Sequence, residues 1–340
     1  MAASPRQGQP VRGHVEQKER SDLSAILIHG AAGFVGTRLV PQFLAQDSPH
    51  LILTDRRPME GFPPDLLGGS AGEIETIQVD SISTLNVGKI DTAIILAGET
   101  NVDEALINPS RAFESNVAIA IDAGEWLRAN PHARLIYVSS DEVLGESFKP
   151  LGEDEPNRPS QPYAASKACA ETILECYRDT YGLDLVILRS CNLVGGEQRA
   201  PKLIPIAVTC MMNSRAVPVY GAGDQLREWM AVDDLCRALI VLSDRENADA
   251  GIYQASSGVW LSVLQVIELV GRALDVEPGL DHVADRLVHD RSYASDSTRL
   301  RSVGWKPEVE VAEAITVAAR EMARALSEGE ALDRPVPTVS

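Results

Sequence analysis

AILIHGAAGFVG, residues 25–36, decides how this chain is read. Four apolar residues run without interruption, and Gly30, Gly33 and Gly36 follow as G-x-x-G-x-x-G. A continuous apolar, β-branched run bounded by turn residues reads as a strand buried on both faces. Glycines directly after it let the chain turn tightly and let a pyrophosphate approach the N–H groups that open a helix. The same kind of run returns in LILTD (51–55), TIQVD (76–80), TAIILAG (92–98), RLIYVSS (134–140) and LVILRS (185–190). Helical stretches lie between several of them, notably around 112–129 and 163–181, the second ending at Gly182, a natural C′ residue. Alternating β and α units predict an α/β fold, a doubly wound parallel sheet with helices on both faces.

After Ser190 the rhythm breaks into Pro- and Gly-rich sequence, with GAGDQ at 221–225 and GWKP at 304–307. The expected organisation is a tail over 1–22, a dinucleotide-binding domain over 23–190 with a returning segment at about 228–257, a smaller substrate-binding lobe over 191–325, and a second tail over 326–340. Both tails are polar and non-periodic, the composition of disordered ends. The 340 residues carry 31 Lys+Arg against 49 Asp+Glu, a formal net charge of −18. That balance argues against a nucleic-acid surface, which needs clustered cations. No apolar run approaches the ~20 residues that span a bilayer, and residues 1–22 lack the apolar core of a secretory signal. Five cysteines without a C-x-x-C pair read as reduced thiols in a cytoplasmic protein, and no metal is expected.

Asp55 ends the second strand, 19 residues after Gly36. A carboxylate there accepts from adenosine ribose hydroxyls and repels a 2′-phosphate, so NAD is expected over NADP; Arg56 and Arg57 soften that preference. Asp80, closing the third strand, is placed to meet the adenine. Pro41 falls inside the helix that follows the glycines, where it removes a hydrogen bond.

Tyr163 and Lys167 form Y-x-x-x-K on a helix, one turn apart and on one face. An ammonium beside a phenol favours phenolate and makes tyrosine a usable base. Ser140, at the end of the preceding strand, can hydrogen-bond the same hydroxyl. The trio suggests alcohol oxidation with hydride passing to NAD.

These motifs resemble those of extended short-chain dehydrogenase/reductases, and most closely the NDP-sugar 4,6-dehydratase family, over about residues 25–307. HGAAGFVG is similar to the family's T-G-G-A-G-F-I-G, AGETNVD (97–103) to A-A-E-S-H-V-D, PYAASK (162–167) to P-Y-x-A-S-K, and QRAPKLIPI (198–206) to Q-F-P-E-K-L-I-P. GAGDQLREWMAVDD (221–234) resembles G-x-G-x-x-x-R-D-W-x-x-V-x-D, and DRLVHDRSYASD (285–296) resembles D-R-P-G-H-D-x-R-Y-x-x-D. SSDEV (139–143) matches the S-T-D-E-V of the dehydratases, whereas related 4-epimerases lack the acid pair.

The resemblance implies a Rossmann-type sheet and a tightly bound NAD that is regenerated in each cycle. It further implies Asp141 as acid and Glu142 as base for loss of water after C4 oxidation. Two carboxyls with separated pKa values can divide those jobs. Phe34, Val35 and Ala97 join the cofactor set by the same resemblance. Glu99, Asn192, Lys202, Leu203, Arg227, Arg291 and Tyr293 form the substrate set, with His289 a possible neighbour of the diphosphate. The substrate is then an NDP-hexose, dTDP-glucose before others, and the assembly a homodimer through the two long helices, whose Ala164, Ala165, Ala168 and Ala170 permit close approach. Several positions depart from the family: Asn101 for histidine, Leu144 for tyrosine, Leu193 and Val194 in place of asparagine and tyrosine, and YQASSGV (253–259) for Y-N-x-G-G-x-N. C4 epimerisation, decarboxylation or a different substrate or regiochemistry stay open as alternatives, as does a non-catalytic dinucleotide-binding regulator.

Overall fold

Every residue of Ala25–His29 (β1) is buried, as a strand paired on both edges and covered on both faces must be. The structure is a computed structural model describing residues 25–46, 50–59, 74–199 and 201–329. From β1 the chain turns through the glycines into helix Phe34–Leu44 (α1), then forms strands His50–Asp55 (β2), Ile74–Gln78 (β3) and Thr92–Ile95 (β4). Helices Val102–Ile107 (α2) and Pro109–Ala129 (α3) precede strand Arg134–Ser140 (β5). Helix Pro162–Tyr181 (α4) leads to strand Leu185–Ser190 (β6). Beyond these come Asn192–Val194 (β7), helix Leu203–Met212 (α5), Val217–Tyr220 (β8), Leu226–Ala231 (β9) and helix Val232–Ser243 (α6). Gly251–Ala255 (β10), Trp260–Ser262 (β11), helix Val263–Leu274 (α7), Leu280–Val283 (β12) and helices Thr298–Ser302 (α8) and Val311–Ser327 (α9) complete the chain.

Seven strands form one parallel sheet in the order β10-β6-β5-β4-β1-β2-β3. The chain builds outward from β1 to β3, then crosses back to β4 and builds the other way. Ligands bind where such an order reverses, beyond the carboxyl ends of the strands. Alternate residues of β1 feed two cores. Ile26 and Ile28 pack with Leu39 and Phe43 of α1 and Leu235 and Leu239 of α6, while Leu27 packs with Trp126 of α3 and Leu174 of α4. A third core belongs to the smaller lobe, where α5, α7 and α9 enclose Val208, Val270 and Ile315. There β7 and β11 flank β9, and β8 pairs with β12.

The expected strands are present, with one shift. β3 ends at Gln78, so Asp80 lies beyond the strand rather than closing it. This is the sheet edge, where a half-exposed strand offers less hydrophobic patterning than a central one. Helix α1 continues through Pro41, whose carbonyl accepts the Ala45 N–H at 3.1 Å; nothing in the structure explains the proline itself. Gly182 ends α4 at φ +66°, donating to the Arg178 carbonyl. Residues 326 and 327 belong to α9 rather than to a tail, residues 328 and 329 follow it, and the rest of the expected tails, 1–22 and 330–340, lies outside the described residues. Among the described residues no helix is long and apolar enough to cross a membrane.

Candidate active site

A cleft of about 1640 Å³ runs along the carboxyl ends of β1, β2, β4, β5 and β6 and under the smaller lobe. It exceeds the ~300–1,000 Å³ of an ordinary small-molecule site, giving room for two nucleotides.

At its cofactor end Gly30 holds φ +87°, and a Cβ there would lie 2.6 Å from the Ala97 nitrogen. Only glycine permits β1 and β4 to approach so closely. Gly33 is the N-cap of α1 without any side-chain bond, which leaves the helix N–H groups to a ligand. Gly30, Gly33, Phe34, Val35, Asp55, Asp80 and Ala97 line the cleft. Gly36 does not; it faces Ala31, whose carbonyl a Cβ would strike, so it serves the packing of helix on strand. Asp55 is buried and accepts the Ala32 N–H at 3.1 Å. Arg57 grips both of its oxygens at 3.1 Å. Burial pushes this carboxyl up, but the guanidinium and the two amides outweigh it and hold the pKa below its ordinary value. These residues fit a dinucleotide.

β5 delivers the chemical end. Ser140, the N-cap of the single turn Asp141–Leu144, accepts the Glu142 N–H and donates to Asp141 Oδ1, both at 3.3 Å. Asp141 is 3% exposed, and its Oδ2 has no protein partner. Burial, with Glu142 and Glu228 nearby, lifts its pKa well above the ordinary carboxylate value. Glu142 is half-buried and accepts the Gln161 side-chain amide at 2.7 Å. The adjacent carboxyls therefore sit in different surroundings.

Tyr163 and Lys167, both buried on α4, also line the cleft. Lys167 differs from the expected arrangement: its Nζ donates to the Tyr137 hydroxyl at 3.2 Å and the Val138 carbonyl at 2.9 Å rather than to Tyr163. Burial lowers it to about 8 despite Glu171. Burial and the Glu142 charge raise the Tyr163 phenol, and the Ser140 hydroxyl pulls the other way. Ser140, not Lys167, is thus the group that favours the phenolate here. Asn116 of α3 ties the site together, accepting the Glu99 N–H at 2.9 Å and donating to Ser166 at 2.8 Å.

On the substrate side Glu99, Asn192, Lys202, Leu203, Arg227 and Tyr293 line the cleft. Glu99 accepts its neighbours' N–H groups, those of Thr100 and Asn101, at 3.0 Å. Lys202 reaches across to the Thr100 carbonyl at 2.6 Å, and the Arg227 guanidinium lies 4.7 Å over the Tyr293 ring. Arg291 does not join them. Its guanidinium pairs with Asp224, and its backbone N–H with Glu146. In the D-R-P-G-H-D-x-R-Y pattern the second arginine precedes the tyrosine directly, a position held here by Ser292; Arg291 occupies the variable place and points outward. His289 lines the cleft and is bound to Asp285.

Sequence reading missed four contributors: Arg286, clasped by Asp103 at 2.7 and 2.9 Å, Arg215, Tyr220 and Gln161. Two of them carried a signal: Gln161 precedes the Pro-opened helix at the N-cap position, and Arg286 matches the first arginine of the D-R-P-G-H-D-x-R-Y pattern. The departures from the family also divide. Asn101 and Leu193 line the cleft, but Leu144 packs against Val143 and Ala168, Val194 is in the third core, and Val259 is outside the lining.

Comparison with known proteins agrees with this geometry. The model of the family described as "NAD dependent epimerase/dehydratase family" matches residues 26–255. The low-salt glycan biosynthesis protein Agl12 of Haloferax volcanii is 33% identical over 83% of this chain and 93% of its own. The dTDP-glucose 4,6-dehydratase of Streptomyces griseus is 33% identical over 85% and 91%. The crystal structure of DesIV, a dTDP-glucose 4,6-dehydratase from Streptomyces venezuelae with NAD bound, superposes at a TM-score of 0.83 with 30% identity, covering 91% of this chain and all of that one. With the glycine turn, Asp55 and the Ser140–Tyr163–Lys167 set in one cleft, the chain belongs to the NAD dependent epimerase/dehydratase family.

Proposed function

We propose that this protein catalyses the dehydration of a nucleotide-diphosphate hexose, dTDP-glucose before others, to the NDP-4-keto-6-deoxyhexose. One observation carries the reading: Asp141 and Glu142 are adjacent on one turn beside Ser140 and Tyr163, the first buried and raised in pKa, the second half-exposed and held by Gln161. Environments that push two carboxyls apart mark an acid and a base.

Gly30, Gly33, Phe34, Val35, Asp55 and Ala97 would hold NAD, which would supply the acceptor for hydride from C4 and the hydride donor to C6. Tyr163 takes the C4 hydroxyl proton, with Ser140 donating to the same oxygen. The new C4 carbonyl acidifies the C5 proton, which passes to Glu142. Asp141 gives its proton to the C6 oxygen, the C6–O bond breaks, and water leaves. Glu142 returns its proton to C5 as C6 is reduced, and the Tyr163 proton replaces the one lost by Asp141, so the net change is one water. Lys202, Arg227 and Arg286 supply the cations for the diphosphate in an otherwise acidic chain, Arg227 with the planar fork suited to phosphate oxygens and Arg286 with its fork held by Asp103.

The same reading pairs two copies through α3 and α4. Ala164, Ala168 and Ala170 are already buried within one chain, so the contact falls to Ala165 and to the exposed Ile121 and Tyr181; light scattering at micromolar concentration tests it, and a monomeric mass overturns it. Mass spectrometry of the protein with dTDP-glucose, UDP-glucose, UDP-GlcNAc, GDP-mannose and CDP-glucose tests the reaction. Loss of one water from one of them without added NAD supports it; an isomer of unchanged mass favours epimerisation and removes Asp141 and Glu142 from the chemistry.

A further inference from the structure

Three neighbouring strands end level with one another. Ser140, Ser190 and Ala255 stand in register across β5, β6 and β10. The residues that follow, Asp141, Cys191 and Ser256, therefore leave the sheet edge side by side, and all three are buried. Glu228 of β9 precedes the Asn192–Trp229 register pair as Cys191 does, and so stands beside Cys191 and Ser256. Its Oε1 accepts the Ser256 hydroxyl and the Gly258 N–H, while its Oε2 is buried without a protein partner. The side chain is 0% exposed and stands behind the cleft wall that Arg227 and Trp229 form. Nothing in the oxidation and elimination steps uses it.

Two buried carboxyls in one cluster do not both ionise cheaply, so the pair retains a proton. Surroundings decide where it stays. Burial raises the Glu228 carboxyl above its ordinary value, while the Ser256 hydroxyl, the Gly258 and Ser295 backbone groups and the Arg301 guanidinium of α8 favour its anion. Asp141 has the Ser140 hydroxyl and Arg227 in its favour, against burial, Glu142 on its own turn and Glu228 on β9. Tyr163 of α4 and Cys191 face the cluster too, and burial raises the pKa of both. Glu228 accepts two hydrogen bonds, from Ser256 and Gly258, where Asp141 accepts one from Ser140, so the anion is better stabilised at Glu228 and the proton belongs to Asp141.

We propose that Glu228 is a positioning residue for the elimination step: its carboxylate, set beside Asp141 and Cys191 in the same buried cluster, keeps a proton on Asp141 until that proton passes to the departing C6 oxygen. In that step the Asp141 O–H bond breaks, an O–H bond to O6 forms, and C6–O breaks to release water; Glu228 gains and loses nothing. The inference rests on the dehydratase reading.

Glu228→Gln keeps an acceptor oxygen for Ser256 and Gly258 but removes the charge. With the full-length protein and dTDP-glucose, single turnovers followed by absorbance of the reduced cofactor report C4 oxidation, and mass spectrometry reports water loss. The alkaline limb of water loss should move down by about one pH unit in the variant while C4 oxidation and KM stay within about twofold, the size expected of one nearby charge. Glu228→Asp, which keeps the charge, should return the limb toward its original place. A limb that does not move in Glu228→Gln, or moves equally in both variants, overturns the proposal. If Glu228→Gln does not fold, infrared difference spectra of the parent protein against Asp141→Asn decide instead. A protonated carboxyl band assigned to Asp141 at neutral pH supports the proposal, and its absence overturns it. Failure of the underlying reading looks different, since the unaltered protein would then release no water from any sugar nucleotide.

Discussion

Gln161 holds Glu142. Its side-chain nitrogen donates to Glu142 Oε2 at 2.7 Å while its side-chain oxygen accepts the Tyr163 N–H, also at 2.7 Å. One amide thus caps α4 and aims the carboxylate to which the proposed reaction assigns the C5 proton. Gln161→Ala should lower kcat for water loss by roughly 10- to 100-fold, the cost of a misplaced catalytic group. C4 oxidation should fall less. Stopped-flow absorbance of the reduced cofactor, set against product formation, separates the two; an equal fall in both would mean that Gln161 serves only the helix.

Arg57 is committed to Asp55 through both carboxylate oxygens, so it is not free to take a 2′-phosphate. NAD should therefore bind well ahead of NADP. Asp55→Asn removes a charged acceptor worth about 1.5–3 kcal/mol, which is roughly tenfold or more in affinity. It also releases the guanidinium. Titration calorimetry on cofactor-free protein should show weaker NAD and a narrowed preference; a preference that stays unchanged would dissociate the pair from cofactor choice.

Lys167 is buried, and burial brings it from 10.5 down to about 8. Between those values the unfolded chain binds more protons than the folded one, so this residue makes stability rise with pH across that window. Below about 8 the buried ammonium is a net cost. Lys167→Met should be more stable at pH 7 by about 1–3 kcal/mol. That advantage should shrink as pH climbs from 8 toward 10.5. Thermal melts of the two proteins across that range, without added cofactor, read both signs; a less stable variant at pH 7 would contradict the burial argument.

Arg189 and Glu171 make an ion pair at 2.8 Å with side chains 2% and 0% exposed. Arg189 also donates to Asn157 at 2.8 Å, fastening the segment before α4 to β6. Glu171→Ala leaves a buried guanidinium without its counter-charge and should cost about 3–5 kcal/mol. Urea denaturation measures it, and a loss below 1 kcal/mol would mean that water reaches Arg189 freely.

Much of this fold was legible because central parallel strands are near-continuous apolar runs, and β1, β2, β4, β5 and β6 all read that way. β3 was displaced by two residues because an edge strand is patterned on one side only. The site was legible where a motif fixes spacing on one element, as Tyr163 and Lys167 do on α4. It was not legible where direction decides. Arg291 and Arg286 are the same residue type in the same loop, one at a variable and one at a fixed place of the motif, and the fold turns the first toward Asp224 and the second toward Asp103 across the cleft. Nor does spacing reveal that Leu144 and Val194 face packed side chains, or that Glu228 meets the end of β5 from a separate sheet.

The central claim is that hydride leaves C4 and returns to C6 within one turnover as Asp141 expels water. A sugar nucleotide carrying deuterium at C4, dTDP-glucose first, tests it directly when the product is read by mass spectrometry and NMR. The account predicts a product lighter by one water with the deuterium at C6, and retention of reduced cofactor without water loss in Asp141→Asn. Deuterium that remains at C4 in a product of unchanged mass and inverted configuration would contradict it.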